Sequence, residues 1–376
     1  MKRDRKNTVN KELTKKTLGI FWQHARRYPR SVFFILLGVF LLNALDAYVP
    51  LLYRDIINLL SEGEVSVTVF RSAVGILVLI LVIHLARMVS RRGSNFFHNF
   101  HQPSVMRDLN NTCYRYLQKH SIAFFNSTFV GSLVTRVKRY ERAYQEMANQ
   151  VVYDLGHSLL SLVMILAVLF WQYPLFGTII AVWSAVFIFV SYLFAMYRLP
   201  YDIERAYSDT RTTAQLADSI TNNVNIKLFS GYAHENRLFG RVTQDQFKIR
   251  KKNWNLVTIS DIIQSLMTIG LEFVVIYLSL SLWFRGSLVV GDLVLLQLYI
   301  FPIFHQLWRT GRNMQVIYES LADANEMTEI LLMEHAVKDK RGAKELEVRK
   351  GEIIFKDTVF KYKEGIEVLS GFDLKI

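Results

Sequence analysis

Residues 155–197 read LGHSLLSLVMILAVLFWQYPLFGTIIAVWSAVFIFVSYLFAMY, 43 positions between Asp154 and Arg198 without one Asp, Glu, Lys or Arg. A helix crosses the bilayer core with about 20 mostly apolar residues, so this run is long enough for two crossings. Trp171-Gln172-Tyr173-Pro174 interrupts it near the middle. Pro174 suits the first turn of a helix, and Trp171 and Tyr173 suit the membrane–water boundary. The stretch therefore predicts a tight helical hairpin within a membrane, its two arms at Leu155–Phe170 and Leu175–Tyr197.

Four further apolar blocks surround it, at Val32–Leu52, Val74–Val89, Ile262–Phe284 and Leu288–Trp308. The 376 residues carry 51% apolar and 20% charged residues, with 18 Gly, 6 Pro and a single Cys. That composition excludes disorder, collagen-like repeats and a disulfide scaffold. Cys113 has no partner within the chain. The net charge of +13 admits either nucleic acid or the inner face of a membrane as its counterpart, and position decides. Residues 1–30 hold ten Lys and Arg, the connection at 61–67 none, the connection at 90–154 nine, the turn at 171–174 none, and the connection at 198–261 ten, while the turn at 285–287 has only Arg285. Rich and poor flanks alternate, which places both termini in the cytoplasm and makes nucleic acid unnecessary. The first span is too long for the apolar region of a cleaved signal peptide.

The poor connections are short and the two rich ones are long. Neither long one is rich in Gly, Pro or Ser, and both keep a helical spacing. At about 1.5 Å per residue, 25–30 extra helical residues reach about 40 Å into the cytosol. Each stalk is interrupted once, at Phe124–Gly131 and at Leu228–Glu235, where aromatics mix with Asn, Ser and Gly. That mixture fits either a short transverse helix with exposed aromatic knobs or a plain loop. Leu13–Tyr28, basic with Leu18, Ile20, Phe21 and Trp22, is expected to lie as a helix in the inner interface.

After Glu334 the pattern changes. Residues 335–350 read as a charged linker. Gly351–Phe355 and Val359–Tyr362 read as two short strands, 363–365 as a turn and Val368–Ile376 as the approach to a further strand. So short a β segment cannot bury a core alone.

These residues resemble the ATP-binding-cassette exporter family, half-transporter type. Phe124-Phe125 through Gly131-Ser132-Leu133-Val134-Thr135-Arg136 is similar to the family's first coupling segment. Asn225–Gly231 with Glu235 and Phe239 is similar to the second, although Tyr232-Ala233-His234 stand where acidic residues are common. Gly351, Ile353, Phe355, Val359, Phe360, Tyr362 and Val368-Leu369 are similar to the opening of the nucleotide-binding domain. The resemblance implies an all-α membrane protein of six transmembrane helices with long cytosolic extensions, followed by the first β-strands of an α/β nucleotide-binding domain. It implies a basic N-terminus with an interfacial helix (1–30), a membrane domain (31–334), a linker (335–350) and an incomplete cassette (351–376). Phe125, Asn126, Gly131, Phe229, Gly231 and Glu235 would couple to the nucleotide-binding domain, and Tyr362 would stack on the adenine of ATP. The phosphate-binding loop, the Walker B carboxylate and the signature loop are absent from the sequence. The chain as written is therefore expected to be truncated and unable to hydrolyse ATP, with ATP and Mg2+ as cofactors of the full-length protein.

The resemblance further implies alternating access by two such chains, homodimer or heterodimer, in a lipid bilayer, exporting a lipid, drug, peptide or similar small amphipathic substrate. The expected location is multi-pass in a prokaryotic plasma membrane. A permease that borrows a separate ATPase chain is the alternative, and the cassette-like tail argues against it. Asp46 and Glu272 are charges inside spans, which are costly there, and are candidates for the substrate cavity or for bonds to neighbouring helices. His84 and His305 read as interhelical contacts, and His98 with His101 as a solvated helical face. No metal-ligand spacing and no Ser/His/Asp arrangement is present.

Overall fold

The structure, a computed structural model, describes residues 11–338, 340, 342–345, 347, 351–361 and 367–376. A short helix α1 (Lys11–Ala25) precedes α2 (Pro29–Glu62) and α3 (Val67–Leu117). Then come α4 (Ile122–Ser127), α5 (Val130–Asn149), a π-helical segment (Gln150–Gly156) and α6 (His157–Gln172). The rest of the bundle is α7 (Pro174–Thr221), α8 (Asn223–Leu228), α9 (Tyr232–Phe284) and α10 (Val290–Leu331). Among the described residues six helices are long and apolar enough to cross a membrane, and the 155–197 run forms the predicted hairpin. Local chemistry sets the helix starts. Ser66 caps α3 by accepting from the Val69 amide at 3.2 Å, and Pro29 and Pro174 occupy first turns, where a missing N–H leaves no bond unmade.

Apolar side chains along the spans face outward. Phe33, Leu77, Phe189 and Phe273 are all more than half exposed. Water would make that arrangement unfavourable, whereas lipid accepts it, and the helical backbone of the spans pairs its polar groups within each helix except where a proline stands. The protein is a multi-pass integral membrane protein. Inside the bundle, Leu169, Phe176, Ile180, Leu295, Leu296 and Tyr299 form a packed cluster from α6, α7 and α10.

Beyond the spans the helices continue without a break. α9 alone has 53 residues, about 80 Å long. One stalk joins α1, α3, α5 and α10 through buried Phe21, Val105, Leu109, Leu133, Tyr140 and Met327. The other is α7 against α9, held by Arg250–Asp209 at 2.8 Å, Asn253–Asp202 at 2.8 Å and Ser219–Glu235 at 2.8 Å. Across residues 198–261 this second stalk buries only Ser208, Val242 and Asn253.

The α1 helix docks on the first stalk, and two other expectations need correction. Thr17 donates to Asn325 at 2.6 Å, His24 bonds Thr112 at 3.0 Å, and Phe21 packs its ring 5.0 Å from that of Tyr140. Of its large apolar side chains, Leu18 and Trp22 are exposed. His98 and His101 are not on a solvated face. His101 is buried between Ser31 (2.9 Å) and Tyr144 (3.3 Å), and His98 packs edge-on against Tyr153. The two short tail strands at 351–362 are one strand, β1 (Ile354–Lys361), with a left-handed residue at Asp357 (φ 47°), paired antiparallel with β2 (Glu367–Lys375).

Burial lowers the His24 pKa below its ordinary value. A histidine depressed in the folded state favours docking above its free pKa and opposes it as pH falls through that value. Protection of the α1 amides, taken relative to their intrinsic exchange rates, is expected to fall between about pH 7.5 and 5.5, and His24→Gln is expected to flatten that dependence.

Candidate functional site

At membrane depth the bundle encloses a cavity of about 510 Å3 lined by residues of α2, the π-helical segment, α6 and α10. Its wall coincides with irregular backbone. Pro50 lies inside α2 and Pro302 inside α10, each removing a backbone donor to the residue four positions earlier, Asp46 and Leu298. The π-helical segment supplies Tyr153 and Asp154. Irregular backbone inside a bilayer is tolerated where it is buried in protein or lines a wet cavity, so three such places around one space point to a polar chamber. Tyr299 donates to the Ala47 carbonyl at 2.6 Å beside Pro50, and Gln306 donates to Ser161 at 2.8 Å. Asp46, Asp154, His157, Ser158 and His305 complete the polar lining.

Of the two charges singled out in the sequence, Asp46 sits on this wall, ion-paired to Arg87 of α3 at 2.9 Å. Glu272 sits outside the lining and accepts from Gln297 at 2.8 Å, joining α9 to α10. Sequence reasoning missed Tyr153, Asp154, His157 and Tyr299. The available signal was the pair of prolines inside apolar spans with polar residues a turn away.

A second polar cleft of about 380 Å3 lies where α7 and α9 leave the apolar region. Arg198 pairs with Asp202 at 3.0 Å, Asn253 donates to the same carboxylate at 2.8 Å, and Arg205 and Trp254 complete the wall. Among the described residues no three His, Cys, Asp or Glu side chains converge as a metal centre.

The sequence matches the ABC transporter transmembrane region over residues 32–307. The chain belongs to this family. Similar proteins include an ATM1-type heavy metal exporter of Novosphingobium aromaticivorans, 22% identical over 360 residues, covering 93% of this chain and 57% of that protein. The human mitochondrial iron-sulfur clusters transporter ABCB7 is 23% identical over 393 residues, covering 99% of this chain and 51% of that protein. Among solved structures, a bacterial Atm1-family ABC exporter with ATP bound superposes with a TM-score of 0.65 at 19% identity, covering 93% of this chain and 61% of that one. The chain thus spans about half to three-fifths of the length of these relatives. The resemblance read from the sequence holds: this is the fold of an ABC exporter half, a transmembrane domain followed by the first strands of a cassette.

Within that ABC fold the stalk tips carry the coupling candidates. A short helix stands at each tip, α4 at the first and α8 at the second, each six residues. The first tip differs from expectation. Phe124 and Phe125 turn inward onto the stalk core, and the exposed aromatic is Phe129, 81% exposed. Gly131 lies under the Phe129 ring, where a Cβ would come within 2.7 Å, and Asn126 is exposed. His120 stacks on Phe124 at 4.1 Å and contacts His335 at 4.7 Å, so the chain leaving α10 is tied to the first tip. At the second tip α8 precedes the predicted break, and Phe229 is 82% exposed. Gly231 donates to the Ile226 carbonyl at 2.8 Å, and Glu235 accepts from Ser219, closing α9 onto α7. The left-handed residue of this turn is Ser230 (φ 51°), not Gly231. Replacing Ser230 by Gly removes that backbone cost and is expected to raise the melting temperature slightly, a gain of about 0.5–1 kcal/mol.

Tyr362, the adenine-stacking candidate, lies outside the described residues. The hairpin residues described do not form a phosphate cradle: Lys361 and Lys375 are engaged with Glu367 and Glu352.

Proposed function

We propose that this chain is the membrane-spanning half of an ATP-driven exporter that works as a pair and moves a polar, metal-bearing solute out of the cytosol by alternating access. The observation that carries the reading is the polar chamber at membrane depth. Two imidazoles, two carboxylates, hydroxyls and an amide suit a hydrogen-bonding or charged solute better than an acyl chain, which asks for an apolar wall. The names of the relatives, a heavy metal exporter and an iron-sulfur clusters transporter, favour a metal-bearing cargo. Because the described residues hold no preformed metal centre, the cargo would arrive already complexed by another molecule rather than as a bare ion.

The second stalk supports the pairing. Ile220, Val224, Phe247 and Trp254 on it are each more than half exposed, and a second subunit is the partner whose coverage would make that apolar surface favourable. ATP and Mg2+ belong to the full-length protein. The excess of Lys and Arg on the stalk side favours a cytosolic position for stalks and termini, in a prokaryotic plasma membrane. The β hairpin supports an attached cassette over a permease with a separate ATPase.

The full-length protein in inside-out vesicles tests this. Complexed heavy metal is expected to stimulate ATP hydrolysis and to accumulate in the vesicles, with Asp46→Asn and His305→Ala reducing uptake at least tenfold. Stimulation by lipophilic drugs or lipids alone, with no response to metal complexes, overturns the cargo assignment.

A further inference from the structure

The end of the bundle opposite the stalks is closed by a polar cluster that the transport reading has not used. Arg54, near the end of α2, donates to Gln172 at 2.7 Å and to the Tyr173 hydroxyl at 3.3 Å, both at the turn between α6 and α7, and also pairs with Asp55 at 2.8 Å. The Tyr173 hydroxyl in turn donates to Asp292 in the first turn of α10. Asp292 also accepts from the Val289 amide at 3.1 Å, which fixes its carboxylate at the helix start. Beside this cluster the Gly291 amide donates to Asn58 at 2.8 Å. A Cβ at Gly291 would overlap both the Asn58 side chain and the Arg54 carbonyl oxygen, so α2 and α10 meet here at a distance only glycine allows.

We propose that Arg54, Tyr173 and Asp292 form a latch that holds the stalk-distal end of the bundle shut, and that its opening admits the cavity to that face. The cavity is walled by the three elements that the latch joins. Asp46, Ala47 and Pro50 come from α2, Ser161 and Ile165 from α6, and Tyr299 and Pro302 from α10. Between cavity and latch lies the apolar plug of Leu169, Phe176, Leu295 and Leu296, all fully buried. A solute leaving toward this face has to pass between α2 and the α6–α10 group. Parting them exposes the plug, and the latch groups, partly exposed, can take water in place of each partner they lose. Charged and hydroxyl groups at a boundary exchange partners with water at small net cost, which suits a contact made and broken in every cycle. A purely apolar seal offers no such exchange.

This inference rests on the exporter reading, and the experiment separates the two. Ser161→Cys places a thiol on the cavity wall of the full-length protein, while the native Cys113 is buried in the stalk core at the other side. In right-side-out vesicles a membrane-impermeant cationic methanethiosulfonate is applied to the face opposite the stalks. The parent is expected to label slowly without nucleotide and quickly with ATP and vanadate. Tyr173→Phe, which removes one oxygen, and Gly291→Ala, which adds one carbon at the close approach, are each expected to raise the nucleotide-free rate about tenfold. A parent that responds to ATP and vanadate while both variants label at the parental nucleotide-free rate overturns the latch and leaves the exporter reading standing. A parent whose rate ignores ATP and vanadate overturns the exporter reading, and the latch with it.

Discussion

Replacing Arg87 by Met in the full-length protein is expected to destabilise the membrane domain by about 3 kcal/mol, because it leaves the Asp46 carboxylate without a partner at membrane depth. The pair spans α2 and α3, and its 2.9 Å separation is that of a charge-assisted hydrogen bond. Met conserves most of the volume of the Arg stem, so lost packing contributes little. The paired substitution Asp46→Asn with Arg87→Met removes both charges and is expected to recover most of the loss, to within about 1 kcal/mol, since a matched apolar or neutral pair often replaces an ion pair without penalty. Thermal unfolding of the purified protein in lipid nanodiscs measures both. The double variant is expected to stay defective in transport, because Asp46 also lines the cavity. Equal melting temperatures for the single and double variants would show that the ion pair carries no stability.

The same two residues show what a sequence can and cannot disclose. The spans were legible because lipid imposes a composition: the 155–197 run has one physical explanation, and the structure folds it as read. The stalks were legible for a related reason, since a long connection with helical spacing and no breakers has little choice but to continue. Asp46 stood out as a charge in an apolar block, yet Arg87, 41 positions away, was invisible as its partner. The latch has the same character, built from residues 54, 173 and 292 that no periodicity connects. His101 was misread because an i,i+3 pair in a basic helix looks solvated until α2 and α5 cover it. At the first tip, composition announced exposed aromatics but could not decide which of Phe124, Phe125 and Phe129 would turn outward. A six-residue helix has too few positions for an amphipathic period to show.

That difference at the tip gives the largest expected effect on activity. Phe129 and Phe229 are 81% and 82% exposed, so their rings add little to the fold of their own chain. A large aromatic left in water at the end of a long stalk gains free energy only by entering a pocket on another domain, and such an anchor typically carries several times the energy of its neighbours. Replacing both by Asp is expected to leave the melting temperature within about a degree of the parent, since exposed substitutions rarely shift stability by more than about 0.5 kcal/mol. Transport by the full-length protein is expected to fall at least tenfold, with ATP hydrolysis retained but no longer stimulated by cargo. Phe125→Ala is the contrasting case. Its ring packs half-buried against the stalk core, so truncation is expected to cost about 2 kcal/mol, roughly half the loss of a fully buried Phe, and to lower the melting temperature before it alters coupling. Measuring unfolding and cargo-stimulated hydrolysis on the same preparations separates the two roles. A Phe129→Asp, Phe229→Asp protein that transports at the parental rate would remove the exposed rings from the coupling contact and leave the polar residues of the tips, Asn126 among them, to carry it.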